Sequence, residues 1–127
     1  MSDQTSLAAT HLDFVSLQVR DLQAAHRFYC SLLGFLPSPE TRPDALVFQT
    51  QAGAIFAVRA PLVNLDTVSH LGWGVGLWFA HPNVDALYAS LIAEKVSIAR
   101  PIEDGPFGRM FTCIDPDGYA LTLHQQR

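Results

Sequence analysis

The chain has 127 residues, 49% of them hydrophobic and 16% charged, with 8 Lys and Arg against 12 Asp and Glu for a net charge of −4. A length below ~150 residues predicts one domain, here 11–127 behind a loose tail over 1–10, and a chain of this size builds a core without metal or disulfide support. The acidic balance and scattered cations exclude a footprint for nucleic acid, no apolar run reaches the ~18 residues of a membrane span, and Cys30 and Cys113 form no CxxC pair, so a soluble, reduced, cytoplasmic protein with neither partner is expected.

From Asp13 to Arg20 the sequence alternates, with Val15, Leu17 and Val19 on one face and Phe14, Ser16, Gln18 and Arg20 on the other, which predicts a half-buried strand. Asp21 follows as a helix N-cap. Leu22, Ala25, Phe28, Tyr29, Leu32 and Leu33 then recur at spacings of three and four, one apolar helical stripe ended by Gly34. After the proline-containing stretch LPSPETRPD, the runs ALVFQT and AIFAVRA flank Gln51-Ala52-Gly53 and predict a hairpin.

A second pass begins at Gly74, where GVGLWFA places Val75, Leu77 and Phe79 on one face and Gly74, Gly76, Trp78 and Ala80 on the other. Asn83 caps a helix whose stripe is Val84, Leu87, Tyr88, Leu91 and Ile92. VSIARP is a short strand candidate. GRMFTCI and YALTLHQ, joined by Asp115-Pro116-Asp117-Gly118, predict a closing hairpin. Strand, helix and three further strand candidates therefore occur twice, in modules of about 11–62 and 72–127. The expected fold is α+β: two βαβββ modules forming one curved, eight-stranded mixed sheet, helices outside, with a concave face open to a ligand.

The stretches FVSLQVRDLQAAHRFYCSLLGF, WFAHPNVDALYASLIAEKV and GPFGRMFTCIDPDGYALTLHQ together resemble the vicinal-oxygen-chelate superfamily of glyoxalases, extradiol dioxygenases, fosfomycin-modifying enzymes and bleomycin-resistance proteins. The resemblance spans about 12–126. It implies paired βαβββ modules, a homodimer, and ligand cups lined by inner strand faces. In the metal enzymes of that family a His from the first strand, a His, Glu or Gln from the strand opening the second half and a Glu from the last strand hold the ion. The matching positions here are Phe14, Gly76 and Thr122. Phenyl, hydrogen and a neutral hydroxyl do not replace imidazole and carboxylate as ligands of a divalent ion, so neither a metal nor another cofactor is expected. The chain's three glutamates, Glu40, Glu94 and Glu103, fall on no expected cup-facing strand position.

Phe14, Gly76, Trp78, Thr122 and His124 are the expected cup lining, with Ser16 and Phe48 beside them. His124 is a polar anchor there or a satisfied strand residue. Gly72, Gly74 and Gly76 are either a smooth wall for a flat ligand or a place where a neighbouring strand comes close. Trp73 and Phe107 are large rings in loops, candidates to stack on an aromatic ligand. Arg59 and Arg109 are candidates to pair with an anionic or carbonyl group on it, or are surface ion pairs. No G-x-S-x-G elbow is present, and neither cysteine has an identifiable base. The reading that results is a metal-free protein that binds and sequesters a small aromatic drug or antibiotic. The alternative is a glyoxalase-like lyase, isomerase or dioxygenase with an atypical, His-containing metal site.

Overall fold

The computed structural model describes residues 9–40, 42–51 and 53–127, so most of the expected tail and the centre of the first hairpin turn lie outside the described residues. Among the described residues seven strands form two sheets rather than one sheet of eight. The first holds β1 (Phe14–Gln18), β2 (Ala45–Val47) and β3 (Ile55–Arg59) in the order β1-β3-β2. The second holds β4 (Leu77–His81), β5 (Ile98–Gly105), β6 (Gly108–Ile114) and β7 (Ala120–Gln125) in the order β4-β7-β6-β5. In each sheet the first strand pairs in parallel with the last, and the others run antiparallel, so the α+β repeat expected from the sequence is present. The eighth strand is reduced to one bridge between Pro37 and Phe48. Prolines at 37 and 39 remove two backbone donors from that segment and stop a ladder from extending.

Asp21 caps α1 (Leu22–Ala25), its carboxylate accepting from the amides of Gln23 and Ala24. The helix then widens into a π-helical segment, His26–Leu32, closed by the Leu33 amide donating to the Phe28 carbonyl at 3.0 Å. Asn83 caps α2 (Val84–Ala93) through its side-chain oxygen and the Ala86 amide. On α2 the residues Val84, Leu87 and Leu91 are buried, and Tyr88 meets Phe111 edge-on at 5.1 Å; Ile92, expected on the same stripe, is exposed.

The core joins the two halves. Tyr29, Phe35, Phe48 and Phe56 pack together, and Phe79 of β4 closes on them with ring centroids 5.2 Å from Phe35 and 5.0 Å from Phe56. The 115–118 turn is a second link. One oxygen of the buried Asp115 carboxylate accepts from the amides of Asp117, Gly118 and Tyr119, each at 2.9 Å, and the other accepts from the Tyr29 hydroxyl at 2.6 Å. Burial pushes the Asp115 carboxyl up from its ordinary value, against these hydrogen bonds, and pushes the Tyr29 hydroxyl up as well. The Tyr119 hydroxyl donates to the Gln18 carbonyl, and Arg20 reaches Asp117 and Asp66 at 3.0 and 2.8 Å.

Two sequence expectations change here. The alternating glycines do not lie on one strand: Gly72 and Gly74 take φ of +74° and +84° in a turn, and β4 begins only at Leu77. Glycine is suited to that left-handed backbone because it has no Cβ to clash. Glu103 does reach the same face as Thr122 and His124. β5 runs past the expected VSIARP segment to Gly105, and its two bulges, one extra residue each, cancel in phase, so Arg100 stands opposite Thr112 and Glu103 opposite Met110, which itself faces His124. Among the described residues no helix is long and apolar enough to cross a membrane.

Candidate functional site

Because side chains alternate across a strand, each sheet has one face in the common core and one turned away from it. On the first sheet Leu17, Leu46, Phe56 and Val58 face inward, leaving Phe14 and Ser16 of β1 exposed beside Ile55, Ala57 and Arg59 of β3. These residues, with Ala45, Val47 and the 40–44 segment carrying Glu40, Arg42 and Asp44, line a groove of about 370 Å³. It is apolar along its floor and charged at one end. The Arg59 guanidinium is turned back to the Ala60 carbonyl at 3.1 Å.

On the second sheet Phe79, Phe111, Cys113, Leu121 and Leu123 face the core. Trp78, Phe107, His124 and Arg127 line a second groove, of about 360 Å³. Trp78 meets Phe107 edge-on at 5.7 Å and His124 at 6.0 Å, and the Arg127 guanidinium carbon stands 5.8 Å over the Phe107 ring. Thr122 is level with Trp78 in the β4–β7 register, and its hydroxyl is 2.8 Å from that of Thr112. The β5–β6 turn places Phe107. Gly105 leaves room there for Met110, whose Sδ occupies the space a Cβ at position 105 would take. The two grooves have no lining residue in common.

The structure therefore divides the expected site residues. Phe14, Ser16 and Arg59 belong to the first groove, and Trp78, Phe107 and His124 to the second, with Thr122 beside them. Gly76 immediately precedes β4, where a Cβ would come within 3.7 Å of the Trp78 ring. Three others of the expected residues line neither groove. Phe48 is 2% exposed and stacked on Phe56 in the core, because it alternates in phase with Leu46 rather than with Val47. Trp73 is 83% exposed but sits in the inter-module turn against His70, lining neither groove. Arg109 lines neither groove and pairs with Asp85 and Asp104 at 3.0 and 3.5 Å. Glu40, Arg42, Asp44 and Arg127 were missed, since loop and terminal positions carry no periodicity; Ile55 and Ala57 were legible as the alternate partners of Phe14 and Ser16.

The donor chemistry does not suit a divalent ion. Phe14 and Thr122 lie on different sheets, and no group of three or more His, Cys, Asp or Glu capable of holding a metal occurs among the described residues. Among the described residues no imidazole lines the first groove. Cys113 faces the core, with its thiol pushed up to about 12 by burial, and burial also raises that of Cys30.

A family model described as Glyoxalase/Bleomycin resistance protein/Dioxygenase superfamily matches residues 11–123. No curated protein sequence matches the chain. Among solved structures, one of a protein of unknown function from Agrobacterium tumefaciens str. C58 superposes with a TM-score of 0.74 at 24% identity, covering 98% of this chain and 100% of that one. TnmS3, an antibiotic binding protein from Streptomyces sp. CB03234, gives a TM-score of 0.68 at 25% identity over 95% of this chain and 99% of its own. TioX from Micromonospora sp. ML1 gives 0.62 at 24% identity over 91% and 97%.

Proposed function

The chain belongs to the Glyoxalase/Bleomycin resistance protein/Dioxygenase superfamily, and on that premise we propose that it binds and sequesters a planar, largely apolar small molecule, of the antibiotic class that TnmS3 is named for, without transforming it. The observation that carries this reading is the pair of grooves. Each is open to solvent, each exposes a large ring on a strand (Phe14 or Trp78), and neither encloses a ligand by itself. Drug-sized sites bury most of their ligand's surface. A two-fold homodimer that sets the first groove of one copy against the second groove of the other makes two equal, closed cups. β1 and β4 each end a sheet, so each has a free edge for that approach.

The proposed cup has an aromatic wall from Trp78, Phe107 and His124 and a mixed wall from Phe14, Ser16, Ile55 and Ala57, with Arg42 and Arg59 at one end for a polar substituent. Protection is then mass action: one cup retires one molecule, and protein must match drug in amount. The unpaired thiols fit a reducing, cytoplasmic setting.

Native mass spectrometry with a panel of planar aromatic antibiotics tests the reading. A dimer gaining one intact drug per cup supports it; a drug whose mass changes during incubation overturns it. Subunit mixing tests the shared cup. S16W blocks only the first groove and W78A strips only the second. If each cup draws one groove from each copy, an equal mixture of the two inactive variants regains about one quarter of the wild-type sites. Cups built within one chain would regain none.

A further inference from the structure

The second groove already holds a cation. The Arg127 guanidinium lies over the Phe107 face at 5.8 Å, in a groove whose other lining residues are the rings of Trp78 and His124. Aromatic faces carry negative charge, and a guanidinium or ammonium within ~6 Å of a ring centroid is held by it. Among the described residues Arg127 makes no ion pair to account for that position, and the carboxylates of this end of the sheet are engaged elsewhere: Asp85 and Asp104 with Arg109, and Glu103, on the same sheet face, with Arg100 at 3.6 Å.

Resting on the aromatic-ligand reading above, we infer that this groove selects a ligand with a positive charge on or beside its ring system, and that Arg127 is an internal stand-in which the ligand's cation displaces. The edge-on arrangement of Trp78 and Phe107, with rings 86° apart, offers two walls at right angles. A flat cation stacked on one therefore meets the edge or face of the other. The chain's net charge of −4 favours the same sign of ligand at longer range. Binding would free Arg127 to solvent at little cost, because it is exposed and makes its contact with a ring rather than with a buried carboxylate.

Three probes of one shape and different charge decide it: 9-aminoacridine, cationic at neutral pH; acridine, neutral there; and acridine-9-carboxylate, an anion. Quenching of Trp78 is read in a W73F background, so that a single tryptophan reports. The cation should bind about three- to tenfold more tightly than the neutral ring, and the anion most weakly. R127A should tighten the cation about threefold while barely moving acridine. F107L, which keeps an apolar side chain at an exposed turn but removes the ring face, should weaken the cation more than acridine and so reduce the preference for the cation.

Equal binding of cation and neutral ring overturns the inference and leaves the aromatic-cup reading standing. Tightest binding of the anion, weakened by R127A, makes Arg127 an anion anchor and likewise overturns it. Absence of binding by all three removes both readings.

Discussion

Replacing Tyr29 by phenylalanine deletes one hydroxyl from the link between the first helix and the 115–118 turn. The Asp115 carboxylate then keeps its three amide donors on one oxygen, but the other, which received only the Tyr29 hydroxyl at 2.6 Å, is left bare inside the protein. A hydrogen bond to a charged group contributes ~1.5–3 kcal/mol, and stranding a buried acceptor puts the loss in Y29F toward ~2–3 kcal/mol. The loss depends on pH. Burial already holds the folded Asp115 carboxyl above the ordinary 3.8, and the Tyr29 hydroxyl pulls it back down. Without that hydroxyl the folded carboxyl rises further and binds its proton more tightly than the unfolded one does. The folded state is then favoured where Asp115 is protonated, and stability is lost as pH rises through the folded value. Y29F should therefore cost more at pH 7 than near pH 4. Urea unfolding at both pH values, with unchanged m, measures it. A loss under about 0.5 kcal/mol at pH 7, or equal losses at the two pH values, would refute the reasoning.

Gly105→Ala should destabilise by ~1–3 kcal/mol, because the new Cβ lands on the Met110 sulfur and the buried thioether has to repack; chemical denaturation reads it, and wild-type stability would exclude the clash. Cys113 should resist iodoacetamide in the native protein at pH 8 and react on unfolding, since its thiol is buried and pushed up to about 12. The same shift makes stability fall as pH rises above 9.0, where the unfolded thiol ionises and the folded one does not, with a slope approaching ~1.4 kcal/mol per pH unit for this group. Comparing C113A with wild type between about pH 8 and 10 isolates that slope, and an unchanged slope would mean the native thiol titrates freely.

Local signals carried much of the architecture. Asp21 and Asn83 offer their side chains to amides of the turn that follows, and Asp115 to Gly118 shapes the last hairpin, because caps and turns depend on a few adjacent residues. The alternation around Phe14 and Trp78 fixed which side chains turn from the core. Elsewhere local rules gave way. The turn at Gly72 and Gly74 read as strand because alternating glycines satisfy a period of two without forming any ladder. Glu103 lies beyond the expected VSIARP strand, and the observed strand runs on to Gly105 and carries it to the face of Thr122 and His124. Phe48 read as a ligand contact until its phase with Leu46 placed it among the core rings.

Composition, caps and periodicity by themselves determined a twice-repeated α+β unit, and the residues matched by resemblance to the family's metal positions, Phe14, Gly76 and Thr122, set the expectation of a site without a metal. Only the tertiary structure decided that the two outward sheet faces form separate grooves on either side of the core of Phe35, Phe56 and Phe79, and that Arg127 comes to rest over Phe107. The division has a physical cause. A strand's pattern states which face is apolar, but which surface it packs against is settled by long-range burial and by the direction of each crossover, and these are properties of the assembled chain.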